Sequence, residues 1–178
     1  MKNILFLLLL IPVMAKDIYF TRSGDVSFFS SAPLENIEAK NKQVTCVLDQ
    51  HSGKVAFKIP IHGFTFKNAL MQEHFNENYL ESDKYPTAEF KGEIIDWETL
   101  KISSDPSEVQ LKGEMTIHGV TNPIVEKGEI FLQNNHYIGK SIFKIVLSDY
   151  KIKIPKIVRE NIAEIVDITV LVKLKKKQ

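Results

Sequence analysis

Residues Ser107–His118 read SEVQLKGEMTIH, and their alternation decides the fold. Val109, Leu111, Gly113, Met115 and Ile117 fall on one side, and Glu108, Gln110, Lys112, Glu114, Thr116 and His118 on the other. A period of two over this length is a strand with one face in a core and one in water. The same polarity runs outward in both directions. Downstream, Gly119–Pro123 reads as a turn. Ile124–Leu132 follows with Ile124, Gly128, Ile130 and Leu132 aligned. Asn134-Asn135 is a hairpin signal, and Tyr137–Leu147 aligns Phe143, Ile145 and Leu147. Ser148 begins a loop through Pro155. Ala163–Leu174 closes the series with Val166, Ile168, Val170 and Val172 on one face.

Upstream, Thr87–Trp97 is strand-like with a slip at Ile94-Ile95. Val55, Phe57, Ile59 and Ile61 line one face of another strand, with Pro60 and Gly63 marking an edge or bulge. After Gly63 the apolar parity changes to Phe64 and Phe66, which implies a bend. Gln43–Asp49 alternates. Glu35–Asn41 reads as a polar connection. Asp17–Thr21 and Asp25–Ser31 read as two short strands divided at Gly24. One stretch breaks the pattern. From Asn68, a plausible N-cap, Met71, Phe75 and Tyr79 recur at helical spacing, with Leu70 and His74 beside them. Tyr85-Pro86 then forces extended backbone. The expectation is a short amphipathic helix laid on, or across the mouth of, a β-structure. About eight one-sided strands in meander order predict an all-β fold, an eight-stranded antiparallel barrel. A two-sheet sandwich is the competing architecture. Lys-Gly-Glu occurs at Lys91, Lys112 and Lys127. It places a glycine on the apolar face of three strands, where something must approach closely, in a barrel the helix or a ligand.

At the start, Lys2 precedes the apolar run Ile4–Ile11, and Val13 and Ala15 supply a small-x-small site. Residues 1–15 read as a signal peptide and 16–178 as a single barrel domain, exported to the periplasm or secreted. Without the leader's one lysine the 23 basic residues become 22, balancing 22 acids. That balance gives no reason to expect nucleic-acid binding. Lysines at the C-terminal tail read as a solvated end. Cys46 is the single cysteine, so no internal disulfide forms, and its strand setting reads as a packed thiol. The five histidines show no HxxxH or HxH spacing, so no metal site is predicted. Acids fall on exposed strand faces, and there is no nucleophile elbow or glycine-rich phosphate loop. No catalytic residue and no cofactor are therefore assigned.

Three segments together resemble the YceI family of exported lipocalin-like proteins. They are His74-Phe75 followed by Glu81–Gly92 (ESDKYPTAEFKG), Leu111–Pro123 (LKGEMTIHGVTNP), and Leu147–Ile152 with Ile154-Pro155 (LSDYKI, IP). Phe75, Met115 and Lys151 depart from the residues common at those places. The resemblance implies a lipocalin-like barrel with an apolar tunnel that holds a long amphiphile, a polyisoprenoid, quinone tail or fatty chain, without catalysis. Candidate lining residues from the first half of the chain are Phe28, Phe57, Phe64, Phe66, Met71 and Phe75. Those from the second half are Phe90, Leu111, Met115, Ile117, Phe143 and Ile145. His74, Tyr85 and His118 are candidate polar anchors, with a hydrogen bond fixing the helix against a turn as the expected role. The implied partners are a long-chain lipid or isoprenoid and, transiently, a membrane. Two alternatives stand beside this: a filled barrel whose surface binds an envelope partner, and an enzyme acting on a cavity-bound lipid through His74 or His118.

Overall fold

The computed structural model describes residues 17–177, so the leader expected over residues 1–15 lies outside them. The chain forms β1 (Ile18–Ser31), β2 (Asn36–Asp49), β3 (Lys54–Pro60), β4 (Phe64–Phe66), α1 (Ala69–His74), β5 (Thr87–Ile94), β6 (Ser107–Ile117), β7 (Val120–Gln133), β8 (His136–Val146) and β9 (Ile165–Lys176). Each long strand pairs antiparallel with its neighbours in the order β1-β2-β3-β5-β6-β7-β8-β9, and β9 pairs back onto β1. That is the expected closed eight-stranded barrel, each strand paired with both neighbours over at least part of its length, where a sandwich would leave whole edge strands. The short β4 is an addition, paired with β2 through Ala39↔Phe66 and Asn41↔Phe64. Among the described residues no helix is long and apolar enough to cross a membrane.

Two boundaries differ from expectation. β1 is one strand, not two, because irregular register on either side of Gly24 absorbs the interruption. A Cβ at Gly24 would lie 2.9 Å from Val172 Cγ1, so the bulge also brings β1 close to the core. β2 starts at Asn36, inside the segment read as a connection. Its inward Asn41 is fully buried, donating to Pro60 O at 2.7 Å and accepting from Gln43 N at 2.8 Å. A buried amide is tolerated when its hydrogen bonds are made, but it hides the alternation. The tight turn after β6 is only His118-Gly119, both at positive φ, and Val120 already opens β7. Asn134 and Asn135 both sit at positive φ, as a two-residue hairpin requires.

The interior is uneven. At one end Val44, Cys46, Leu48, Val172 and Leu174 are almost wholly buried. Tyr19 meets Tyr137 edge-on at 4.7 Å, and Trp97 lies 6.2 Å from Tyr137 while donating to Gln50 O. This end is a packed plug. Burial pushes the Cys46 thiol far above its ordinary range, which keeps it protonated and inert. The three Lys-Gly-Glu glycines are not met by the helix or by open space. Gly92 and Gly113 face each other across β5 and β6. A Cβ at either would meet the other strand's backbone, and one at Gly128 would lie 2.8 Å from Lys140 O on β8.

Candidate functional site

The other end of the barrel is hollow. A cavity of about 440 Å³ runs between the inward faces of β1, β3, β5, β6, β7, β8 and β9, within the usual range for small-molecule pockets. On β7–β9 the inward positions Ile124, Phe143, Ile145, Ile168 and Val170 are only partly buried although they point to the barrel axis. Side chains in a filled core would be covered, so the remaining accessibility is to the cavity itself. The wall ends where the plug begins, so the volume is blind at that end and not a through-tunnel.

The helical segment closes the hollow end. Asn68 caps α1 as expected, its Oδ1 accepting from Leu70 N at 2.9 Å and Met71 N at 3.4 Å. The helix is only six residues long and passes into a π-helical turn, Phe75–Tyr79. Phe75 stacks on Phe28 at 5.5 Å and packs against Phe64 and Phe66 at 5.5 and 5.0 Å. The Met71, Phe75, Tyr79 stripe therefore faces the cavity, while Leu70 faces out.

All twelve side chains read as lining border this cavity. They are Phe28, Phe57, Phe64, Phe66, Met71 and Phe75 from the first half of the chain, with Phe90, Leu111, Met115, Ile117, Phe143 and Ile145 from the second. The three polar candidates separate. His74 is exposed and borders the cavity at the lid; its side chain has no hydrogen bond among the described residues, so the expected tie from helix to turn is not made by this residue. His118 and Tyr85 lie outside the lining, ring to ring at 4.7 Å. His118 Nε2 is 2.7 Å from Glu81 Oε2, and its Nδ1 is 3.2 Å from Tyr150 O. It ties the turn after the helix to the loop after β8. Because His118 is largely buried, His118→Ala should lower stability by about 2 kcal/mol. The urea midpoint should fall while affinity for a long-chain ligand stays the same.

Among the wall residues that the sequence reading passed over, one is an acid on a strand face. Glu126 occupies an inward position of β7, between Ile124 and Gly128, and borders the cavity. The expectation that acids lie on exposed strand faces fails here. The signal was available, since Glu126 has the parity of Ile124, Gly128, Ile130 and Leu132. Burial holds its carboxyl above the usual carboxylate range. For an acid shifted up, the folded state binds more protons than the unfolded state between the two pKa values. Stability therefore falls as pH rises from about 4.5 through the raised value. Glu126→Gln should flatten that slope in denaturant midpoints measured against pH. Glu35, Ser30, Ser141 and Asn161 are the other polar side chains on the wall outside the lid. Ser30 Oγ accepts from Ala163 N, Ser141 donates to Lys127 O, and Asn161 to Glu35. Among the described residues no group of His, Cys, Asp or Glu is placed to hold a metal ion.

With this geometry in hand, comparison with known proteins places the chain. The model of the YceI-like domain matches residues 21–174, nearly the whole barrel. The chain belongs to the YceI family. Solved structures similar to it include a polyisoprenoid binding domain from Saccharophagus degradans implicated in plant cell wall breakdown. That domain is 12% identical with a TM-score of 0.78, over 92% of this chain and 100% of the other. BcnA of Burkholderia cenocepacia is 14% identical with a TM-score of 0.70, over 85% and 95%. The YceI protein of Campylobacter jejuni is 20% identical with a TM-score of 0.59, over 82% and 87%. At these identities the likeness is one of fold. No curated protein sequence matches the chain.

Proposed function

We propose that this YceI protein is a non-enzymatic binder of a long apolar amphiphile, an isoprenoid or fatty chain, held in the hollow half of the barrel. The observation that carries this is the partly uncovered, almost wholly hydrocarbon wall around about 440 Å³. Each methylene moved from water to such a wall contributes about 0.8 kcal/mol. Ten of them give about 8 kcal/mol, a micromolar affinity before ordering costs. No reacting group is needed for that. The polyisoprenoid-binding description of the Saccharophagus structure points the same way. The leader read from Lys2 to Ala15 would put the protein outside the cytoplasm, where carriage of such a lipid between membranes is useful. Leu34 and Ile157, 67% and 90% exposed, adjoin the lining residues Glu35 and Val158. They offer an apolar rim for brief membrane contact.

The test is native purification, organic extraction and mass spectrometry, followed by titration of the emptied protein with geranylgeraniol. One lipid per chain, or uptake of the probe at micromolar concentration, is expected. No extractable lipid together with no uptake would end the reading.

A further inference from the structure

The barrel wall is open between β7 and β8. Their ladder runs from Gln133↔His136 to Glu129↔Lys140 and stops. Beyond it, Ser141 Oγ donates to Lys127 O at 2.6 Å as a last tie. β7 then continues paired to β6 as far as Val120, and β8 continues paired to β9 as far as Val146. The two facing edges are left without a ladder partner. Pro123, which has no N–H to give, lies in the unpaired stretch of β7. Val125 and Ile142, outward on the two strands, are 56% and 73% exposed, each with a cross-strand partner on one side only, Lys112 on β6 and Thr169 on β9.

A pocket fills this gap, bordered by Asn122, Pro123, Lys144, Val146, Asp149 and Tyr150. It shares Met115, Ile124, Glu126, Phe143 and Ile145 with the apolar cavity, so the two volumes adjoin along these five residues, of which Glu126 is the one charged side chain. The donors around the gap have other partners, and the Tyr150 hydroxyl, which meets the Asn122 side chain, also feels the Glu126 charge. Asn122 Nδ2 donates to Asp149 O at 2.9 Å, and Lys144 Nζ pairs with Asp167 at 2.7 Å. The Glu126 carboxylate has no hydrogen bond or ion pair among the described residues. A polar acceptor left facing an oily chamber is costly unless something donates to it.

We infer that Glu126, at the junction of the cavity and the β7–β8 gap, is a head-group site that selects amphiphiles ending in a hydrogen-bond donor, such as an alcohol, over ethers and anionic heads. The tail lies in the apolar cavity and the head turns to the gap, where water reaches it. This rests on the binding function proposed above and adds which end group is taken. Repulsion from Glu126, with Asp149 also at the gap and Lys144 neutralised by Asp167, disfavours phosphate or carboxylate heads.

Three probes with one chain separate the possibilities: geranylgeraniol, its methyl ether and geranylgeranyl phosphate, titrated calorimetrically into the wild-type protein, Glu126→Leu and Glu126→Gln. A hydrogen bond to a charged acceptor predicts that the wild type favours the alcohol over the ether by ~10- to 100-fold, with the phosphate weaker than the alcohol. Glu126→Leu should bind alcohol and ether within about twofold of each other and bind the ether at least as well as the wild type. Glu126→Gln, which keeps an acceptor without the charge, should retain part of the alcohol preference and lose the discrimination against phosphate. Alcohol and ether bound equally by the wild type, or a ranking unchanged in Glu126→Leu, overturns the head-group site and leaves chain binding standing. No binding of any probe by any of the three folded proteins overturns both.

Discussion

Tryptophan at Ile124 and Ile168 together should give a folded barrel that has lost most of its affinity for a long-chain amphiphile. Both side chains point into the hollow half, from β7 and from β9, and both are partly uncovered there. Ile168 is the cross-strand partner of Phe28 and of Phe143, so it stands in the middle of the chamber wall. Two indole rings in that space displace tail, not protein. If they exclude five methylene equivalents, about 4 kcal/mol of burial is lost, roughly a thousandfold in affinity. Enlarging a side chain usually strains a packed core. Here the rings enter empty volume and gain contacts, so the thermal midpoint should hold or rise. Titration with geranylgeraniol, with circular dichroism as the check on folding, gives both readouts. Uptake unchanged in a protein that still folds would mean that the ligand does not sit in this chamber.

The contrast between the hollow and filled halves was not legible in the chain, although the barrel was. β6 announced itself because each residue of Ser107–Ile117 has a single assignment, inward or wet. The same alternation runs through plug and chamber, however. Val109 and Met115 are both inward and both apolar, yet one packs the plug and the other borders the void. Whether neighbours meet depends on strand separation, which no period in the sequence encodes. The helix was legible as a stripe, Met71, Phe75 and Tyr79, but its short α-turn and π-turn were not, since the stripe is the same in either geometry. β1 and β2 were divided too early because Gly24 and the buried Asn41 interrupt the polarity without interrupting the strand. Glu126 is the instructive miss. Its parity is that of Ile124 and Gly128, yet the expectation that acids fall on exposed strand faces covered it with the rest. Exceptions of that kind concentrate where a fold does something besides hold itself together.

Alanine at Gly113 should cost the barrel about 3 kcal/mol, the largest loss expected from adding one methyl group to any of the strand glycines. Gly113 sits opposite Gly92, and a Cβ there would lie 2.3 Å from Lys91 O and 2.6 Å from Gly92 Cα. Those are backbone atoms, which cannot swing aside as a side-chain end can, so β5 and β6 must part. Overpacking commonly costs 1–3 kcal/mol, and an unyielding neighbour puts this site at about the top of that range. Backbone strain is not the reason, since neither glycine has positive φ. The close approach is the reason, and it falls where the plug gives way to the chamber, between Ile94 and Phe90 on β5 and between Val109 and Met115 on β6. Parting the strands there should therefore loosen the floor of the cavity as well. The same reasoning orders the other glycines. Gly92→Ala should match Gly113→Ala, because its Cβ would lie 2.3 Å from Lys112 O. Gly128→Ala should cost less, with Lys140 O at 2.8 Å, and Gly139→Ala least, since only Val172 Cγ2 at 3.0 Å has to yield. The double variant at Gly92 and Gly113 should cost less than the sum, because one separation of the strands accommodates both methyl groups. Urea midpoints for the five variants test the order, and a Gly139→Ala loss as large as that of Gly113→Ala would show that strand contact is not what these glycines serve.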